Sequence, residues 1–113
     1  MSTPNWIEEL PVAVTVTGVD GTILAMNAAS RQVFAADGGA ALVGTSVFAC
    51  HPEPARTKVQ GLFKSRSPNH YTIAKRGLNK IIHQLPWYAN GEFAGFVELS
   101  IPLPDTLPHF ERQ

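Results

Sequence analysis

Cys50 and His51 are adjacent side chains that can bind metals or take part in acid-base and nucleophilic chemistry. Thiol and imidazole are ligands of soft metals and of haem iron, so the pair is a candidate ligand contact. The structural alternative is a buried Cys50 packing as a small apolar residue, with His51 hydrogen-bonding the turn before a helix. Cys50 is the only cysteine, and Cys-His-Pro is neither a zinc spacing nor a haem-attachment motif, so we predict no metal site.

His83 lies in an apolar stretch with the spacing of a β-strand. Alternation places His83 and Trp87 on one face of that strand and Ile82 on the other. Both faces are apolar, so the spacing leaves open whether His83 lines a pocket or lies on a covered outer face. Tyr71, at the start of a neighbouring strand, is a rim position and a further candidate contact.

No enzyme motif is present in the sequence. It has no nucleophile elbow, phosphate-binding loop or His-Glu-x-x-His helix. Glu92 and Glu98 would share a strand face but lie about 20 Å apart, too far for joint acid-base work. We therefore predict that the chain is not an enzyme and has no catalytic residues.

The charge is balanced overall but unevenly distributed. Nine basic and nine acidic residues cancel, which argues against a nucleic-acid binder. Seven of the nine basic residues lie between positions 56 and 80, where no Asp or Glu occurs. This basic segment indicates either an anionic ligand or partner, or a solvated face whose acidic complement lies on neighbouring elements.

The elements that must position these residues follow from turn and periodicity signals. Residues 11–27 resemble a β-hairpin around Asp20-Gly21, with Asn27 as the cap of a short helix. A longer helix begins at Ala55, with Phe63 on its apolar face. Short strand 71–73, strand 81–88 and strand 93–101 follow, the last two joined at Asn90-Gly91.

This order predicts an α+β fold with a single antiparallel sheet of about five strands. Short helices and one longer helix would pack on one of its faces. We divide the chain into an N-terminal amphipathic segment (1–10), the domain (11–101) and a proline-rich C-terminal tail (102–113). Trp6, Ile7 and Leu10 form an apolar patch that must pack on something, and we assign it to a dimer contact.

The composition and the N-terminal sequence indicate the class of protein and its cellular compartment. The chain is 44% hydrophobic and 16% charged, typical of one globular domain. No apolar run approaches the length of a transmembrane helix, and no signal peptide is visible. We therefore expect a cytoplasmic protein without membrane or nucleic-acid partners.

Several stretches, in order, resemble a PAS domain. Asp20-Gly21-Thr22-Ile23 followed by Asn27 is similar to the family's D-G-x-I-x-x-x-N-x-A stretch. Pro86-Trp87-Tyr88 followed by the segment 90–95 resembles its P-V-x-D-x-x-G-x-x-x-G hairpin. Cys50-His51-Pro52 before the long helix resembles a bacterial subgroup of the family. The ending Ile101-Pro102 departs from the family's D-I-T.

The resemblance implies a sensory or signal-transduction module that binds a small molecule between sheet and helices and forms a homodimer. A downstream signalling protein would be a further partner. The ligand is undefined, either small and apolar or anionic, and haem is not expected. The alternative is a ligand-free interaction module; a haem or metal sensor and a small enzyme rank below it. The expected ligand contacts are Cys50, His51, Phe63, Tyr71, His83 and Trp87.

Overall fold

A computed structural model describes residues 4–49 and 51–113, so Cys50 lies outside the described residues. The strands and helices are β1 (Ala13–Thr17), β2 (Ile23–Met26), α1 (Ala28–Val33), α2 (Ala55–Ser65), β3 (Asn69–Lys75), β4 (Leu78–Ala89) and β5 (Glu92–Leu103). Two short 3₁₀ turns, Ala35–Asp37 and Gly39–Leu42, follow α1.

The five strands form one antiparallel sheet in the order β2-β1-β5-β4-β3. The last strand therefore lies in the middle of the sheet, beside the first. Tyr71, Ile82, Ser100 and Ala13 form one continuous cross-strand row. We call the face that carries this row the inner face, because it lies toward the helices, and the opposite one the outer face. The predicted fold class is confirmed.

Asn27 connects the first hairpin, α1 and the N-terminal segment. Its side-chain oxygen accepts hydrogen bonds from the backbone N–H groups of Ser30 (3.0 Å) and Val14 (2.9 Å). Its amide nitrogen donates to the carbonyls of Ile7 (2.9 Å) and Val12 (2.8 Å). The predicted helix cap is therefore confirmed, and the same buried side chain also fixes two other segments.

The Asp20-Gly21 turn is shaped by a ring packed against it. Gly21 has a φ of 81°, and a Cβ there would lie 2.5 Å from the ring of Phe48. Only glycine meets both demands, since it has no Cβ and tolerates positive φ. The segment carrying Phe48 runs along β2, where Ile23 donates its N–H to the carbonyl of Thr45 at 2.8 Å. It thereby covers this edge of the sheet.

The strands of the second half are longer than the sequence predicts. The short strand expected at 71–73 spans Asn69–Lys75, and β5 continues through Pro102 to Leu103 instead of ending at Ile101. Pro102 is tolerated because β1 begins opposite Ser100, at Ala13, so one side of β5 has no neighbour at Pro102. Pro86 likewise lies beyond the end of β3, which begins opposite Gln84. No helix in the described ranges has the length and hydrophobicity needed to cross a membrane.

Candidate functional site

A cleft of about 750 Å³ separates the inner face of the sheet from the helical segments. This volume lies within the usual range for small-molecule sites. The sheet contributes both apolar side chains, including Ile73 and Ile82, and polar ones, including Tyr71 and Ser100. The helical side contributes Val33, Phe34, Leu42, Val47 and His51. An open cleft that combines apolar side chains with polar and charged ones can bind a small amphipathic molecule.

The helix α2 contacts the sheet mainly through one aromatic ring. None of the eleven residues of α2 is fully buried. The ring of Phe63 packs 4.8 Å from that of Phe96 on β5 and 5.0 Å from that of Phe48. A second cavity of only about 40 Å³ adjoins these rings. Phe63 therefore lies at the end of the cleft that borders this small cavity, where both share Thr15, Val47 and Glu98.

A row of polar side chains crosses the inner face. The amide nitrogen of Asn69 donates to Gln84 Oε1 at 2.9 Å, and Gln84 Nε2 donates to Glu98 Oε2 at 3.2 Å. Thr15, opposite Glu98 on β1, shares a 2.6 Å hydrogen bond with Ser30 of α1. Glu98 thus presents a half-buried carboxylate on the cleft wall, where it can accept a hydrogen bond from a bound molecule.

Tyr71 places a phenol on the same wall. Burial raises its pKa above the ordinary value of 10.0, and the negative charge of Glu98 raises this pKa further. The hydroxyl is therefore neutral at physiological pH and serves as a hydrogen-bond donor or acceptor. Beside Glu98 it makes this part of the cleft polar.

His51 faces the cleft with one ring nitrogen already engaged. Its Nδ1 lies 2.6 Å from the carbonyl oxygen of Val47. A carbonyl only accepts, so Nδ1 is the donor, and in the neutral ring Nε2 is then the acceptor. His51 can therefore accept a hydrogen bond from a ligand through Nε2. Within residues 4–49 and 51–113, no three His, Cys, Asp or Glu side chains are placed to hold a metal ion.

Solved structures share this architecture at low sequence identity. The C-terminal domain of a Streptococcus mutans protein superposes with a TM-score of 0.72 at 19% identity over 90% of each chain. The PAS domain of BvgS from Bordetella pertussis gives 0.61 at 21% identity, over 88% of this chain and 82% of that one. The chain has the PAS fold.

One further similar structure is a PAS protein named as a haem sensor. The Aer2 receptor from Vibrio cholerae, a dual PAS-haem oxygen sensor, gives a TM-score of 0.61 at 20% identity, over 82% of this chain and 95% of that one. The chain matches no protein-family model and no curated protein sequence. The resemblance to a Cys-His-Pro subgroup stays a prediction.

The PAS fold brings together only part of the expected ligand contacts. His51 and Tyr71 line the large cleft. Phe63 lines the small cavity beside it. Cys50 is outside the described residues, so its predicted contact is neither supported nor opposed.

His83 and Trp87 lie on the outer face, away from the cleft. Their strand neighbour Ile82 lines the cleft, and side chains alternate along a strand. His83 instead pairs with His70 on β3, with 2.8 Å between the two Nδ1 atoms. The indole of Trp87 donates to the carbonyl of Thr17 at 2.9 Å. The expectation that these two residues share a pocket with His51 is thereby corrected, because the strand presents its Ile82 face to the helices.

Sequence reasoning missed the polar row on the inner face. In the sequence, Glu98 is identifiable only as a charge, and Gln84 only as a residue that alternation places on the same face as Ile82. Their partnership depends on the register between β4 and β5, where they lie directly opposite each other. Alternation predicts that Gln84 and Ile82 share a strand face, but it does not indicate which face of the strand meets the helices.

Proposed function

We propose that this chain is a sensory module that binds a small molecule in the cleft between the sheet and the helices. The observation that carries the proposal is the cleft itself, about 750 Å³ and largely apolar, with His51, Tyr71 and Glu98 on its walls. A small molecule held there would contact both the sheet and the segment leading to α2. Its binding would therefore shift the packing of α2, which rests on the sheet mainly through Phe63. The proposal assigns no reaction to the cleft.

A homodimer is the second part of the proposal. The outer face carries an apolar set on adjacent strands: Val16, Leu85, Val97, Leu99 and Ile101. These side chains are half-buried in the single chain, and Trp6 is largely exposed. A second copy covering this face would remove that apolar surface from water. The same surface favours the alternative of a ligand-free interaction module.

Native mass spectrometry of protein purified without added ligand tests both parts together. We expect a dimer with an additional mass of a few hundred daltons per subunit, and denaturation of the same sample would release and identify the molecule. Haem would be recognised by its mass and its visible absorption. A dimer without additional mass, also after incubation with a small-molecule extract of the host cells, would favour the interaction module. An unliganded monomer would contradict both.

A pair of adjacent variants locates the bound molecule. Ile73→Trp fills the cleft from β3, whereas Thr72→Trp adds the same ring to the outer face of the same strand. Both positions are exposed enough to accept a large side chain without rebuilding the core. We expect Ile73→Trp to lose the bound mass and Thr72→Trp to retain it. Retention in both variants would place the molecule elsewhere.

A further inference from the structure

Three cationic side chains lie together at one end of the cleft, where β3 turns into β4. Lys75 ends β3, Arg76 occupies the turn, and Lys80 follows in β4. All three line the cleft. The other basic residues of the 56–80 segment are absent from its wall: Arg56, Lys58, Lys64 and Arg66. The fold therefore divides the basic segment into a group of three at the cleft and a group on and beside α2.

The three cations have no carboxylate partner within the described residues. The two ion pairs found there join Arg31 to Glu8 at 2.7 Å and Arg56 to Glu53 at 3.9 Å. Lys75 lies opposite Leu78, and Lys80 lies opposite Ile73, so the two lysines are diagonal neighbours with Cα atoms about 7–8 Å apart. Like charges this close repel each other, and an anion between them would relieve that repulsion.

Apolar side chains surround the cationic group. Ile73 and Leu78 are the direct cross-strand neighbours of the two lysines, and both are exposed on the cleft wall. Ile82 continues the same wall toward the interior, where it is buried. A molecule that fits here therefore needs an anionic group at the mouth and an apolar body behind it.

Neither of the carboxylates described on the cleft wall, Glu98 and Asp37, forms an ion pair with the three cations. Glu98 faces Gln84, which is four residues along β4 from Lys80, a distance of about 13 Å by strand rise. Asp37 belongs to a 3₁₀ turn on the helical side and forms no ion pair with the three cations. The carboxylate of Glu98 is therefore too far along the sheet to compensate the three positive charges at the β3–β4 end of the cleft.

We propose that the cleft binds a single-chain amphiphile with an anionic headgroup. Lys75, Arg76 and Lys80 hold the headgroup, and the aliphatic chain lies against Ile73 and Ile82. This inference rests on the proposed ligand-binding function and specifies its ligand class. It also explains why three unpaired cations lie beside exposed apolar side chains.

Decanoate and its neutral counterpart decanamide test the proposal on the full chain after removal of any copurified ligand. Calorimetric titration should show decanoate binding roughly tenfold more tightly than decanamide, the difference falling as salt screens the charges. Chemical-shift changes should centre on Ile73 and Ile82. The same chain length in both probes isolates the headgroup.

Two charge-matched double variants complete the test. Lys75→Gln/Lys80→Gln should weaken decanoate binding roughly three- to tenfold and leave decanamide binding unchanged. Lys58→Gln/Lys64→Gln removes the same charge from α2, away from the cleft wall, and should change neither. Circular dichroism of both variants confirms that they fold.

The outcomes separate this inference from the proposed function. Equal binding of the two probes in the cleft, or equal losses in the two double variants, would overturn the anionic headgroup while the ligand-binding cleft stands. If neither probe binds, the proposed amphiphilic ligand is wrong. The proposed function is then decided by whether native mass spectrometry finds a bound molecule. Shift changes confined to the outer face would contradict both.

Discussion

The pKa of Tyr71 is raised by two features of the cleft, the burial of its phenol and the nearby carboxylate of Glu98. Tyr71 lies on β3 and Glu98 on β5, with β4 between them. Burial is the larger cause of the raised Tyr71 pKa, and the nearby carboxylate is the smaller one. The two causes can be separated by mutation. Desolvation depends on where Tyr71 lies, whereas the charge effect is removed by replacing Glu98 alone.

Glu98→Gln is expected to lower the pKa of Tyr71 part of the way toward 10.0. The desolvation of the phenol remains, so the pKa stays above that value. The chain has two tyrosines, and a Tyr88→Phe background lets absorbance titration follow Tyr71 alone. Glu92→Gln, on the same strand at the exposed hairpin end, is the matched control and should leave the titration unchanged. Equal effects of the two variants would contradict the assignment.

The same shift sets the sign of a pH effect on stability. The folded state holds the phenolic proton to higher pH than the unfolded chain does. The contribution of Tyr71 is therefore fully present below pH 10.0, the ordinary pKa, and is lost as pH rises through the folded pKa. Urea unfolding of the Tyr88→Phe protein should show the free energy of unfolding falling as pH rises across this range. Replacement of Tyr71 by Phe should reduce that fall.

At Gly95 the backbone of β5 passes very close to the backbone of β1 at Thr17. Gly95 has a φ of 140°, and a Cβ there would lie 1.9 Å from the carbonyl oxygen of Thr17. That same oxygen accepts the hydrogen bond from the Trp87 indole. Trp87, predicted as a ligand contact, therefore helps to fasten β4 to β1 across the middle strand.

Gly95→Ala is expected to destabilise the protein by about 2–4 kcal/mol, because the methyl group meets backbone and the φ is strained. Urea unfolding measures the loss, and the fluorescence of Trp87 should shift as its hydrogen bond is disturbed. Gly61→Ala is the matched control on α2, where an added Cβ meets nothing within 4 Å. It should instead stabilise by about 0.5–1 kcal/mol through helix propensity. A neutral Gly95→Ala would refute the close approach.

At the scale of the whole molecule, the N-terminal segment lies against its own chain while leaving its largest side chain outside. Glu8 pairs with Arg31 at 2.7 Å, and the carbonyl of Glu8 accepts the N–H of Ala28 at 3.0 Å. Trp6 remains 66% exposed. A fixed backbone that presents an exposed indole is a suitable contact for a second copy, as predicted for Trp6, Ile7 and Leu10.

Trp6→Ala is expected to raise the dissociation constant of the proposed homodimer about tenfold, the effect of losing one aromatic anchor at an interface. Sedimentation equilibrium measures the constant. Phe110→Ala is the matched control, since Phe110 is 69% exposed in the C-terminal tail outside the predicted interface. An unchanged constant in Trp6→Ala, or equal changes in both variants, would remove Trp6 from the interface.

The sequence alone determined the elements, because turns, caps and periodicity act over a few residues. The hairpins and helices are bounded where predicted, at Asp20-Gly21, Asn27, Ala55 and Asn90-Gly91, and the α+β order followed. Strand ends were less certain, because β3 and β5 are extended by pairing with β4.

Only the tertiary structure decided which face of β4 meets the helices. Both faces of that strand are apolar, so its pattern is symmetric, and the choice depends on how the strand registers against β5 and where Phe63 packs. That choice placed His83 and Trp87 outside and brought Glu98 and Tyr71 to the cleft. It also placed three cations of the basic segment at one end of the cleft, because Lys75 and Lys80 lie on the same sheet face as Ile82.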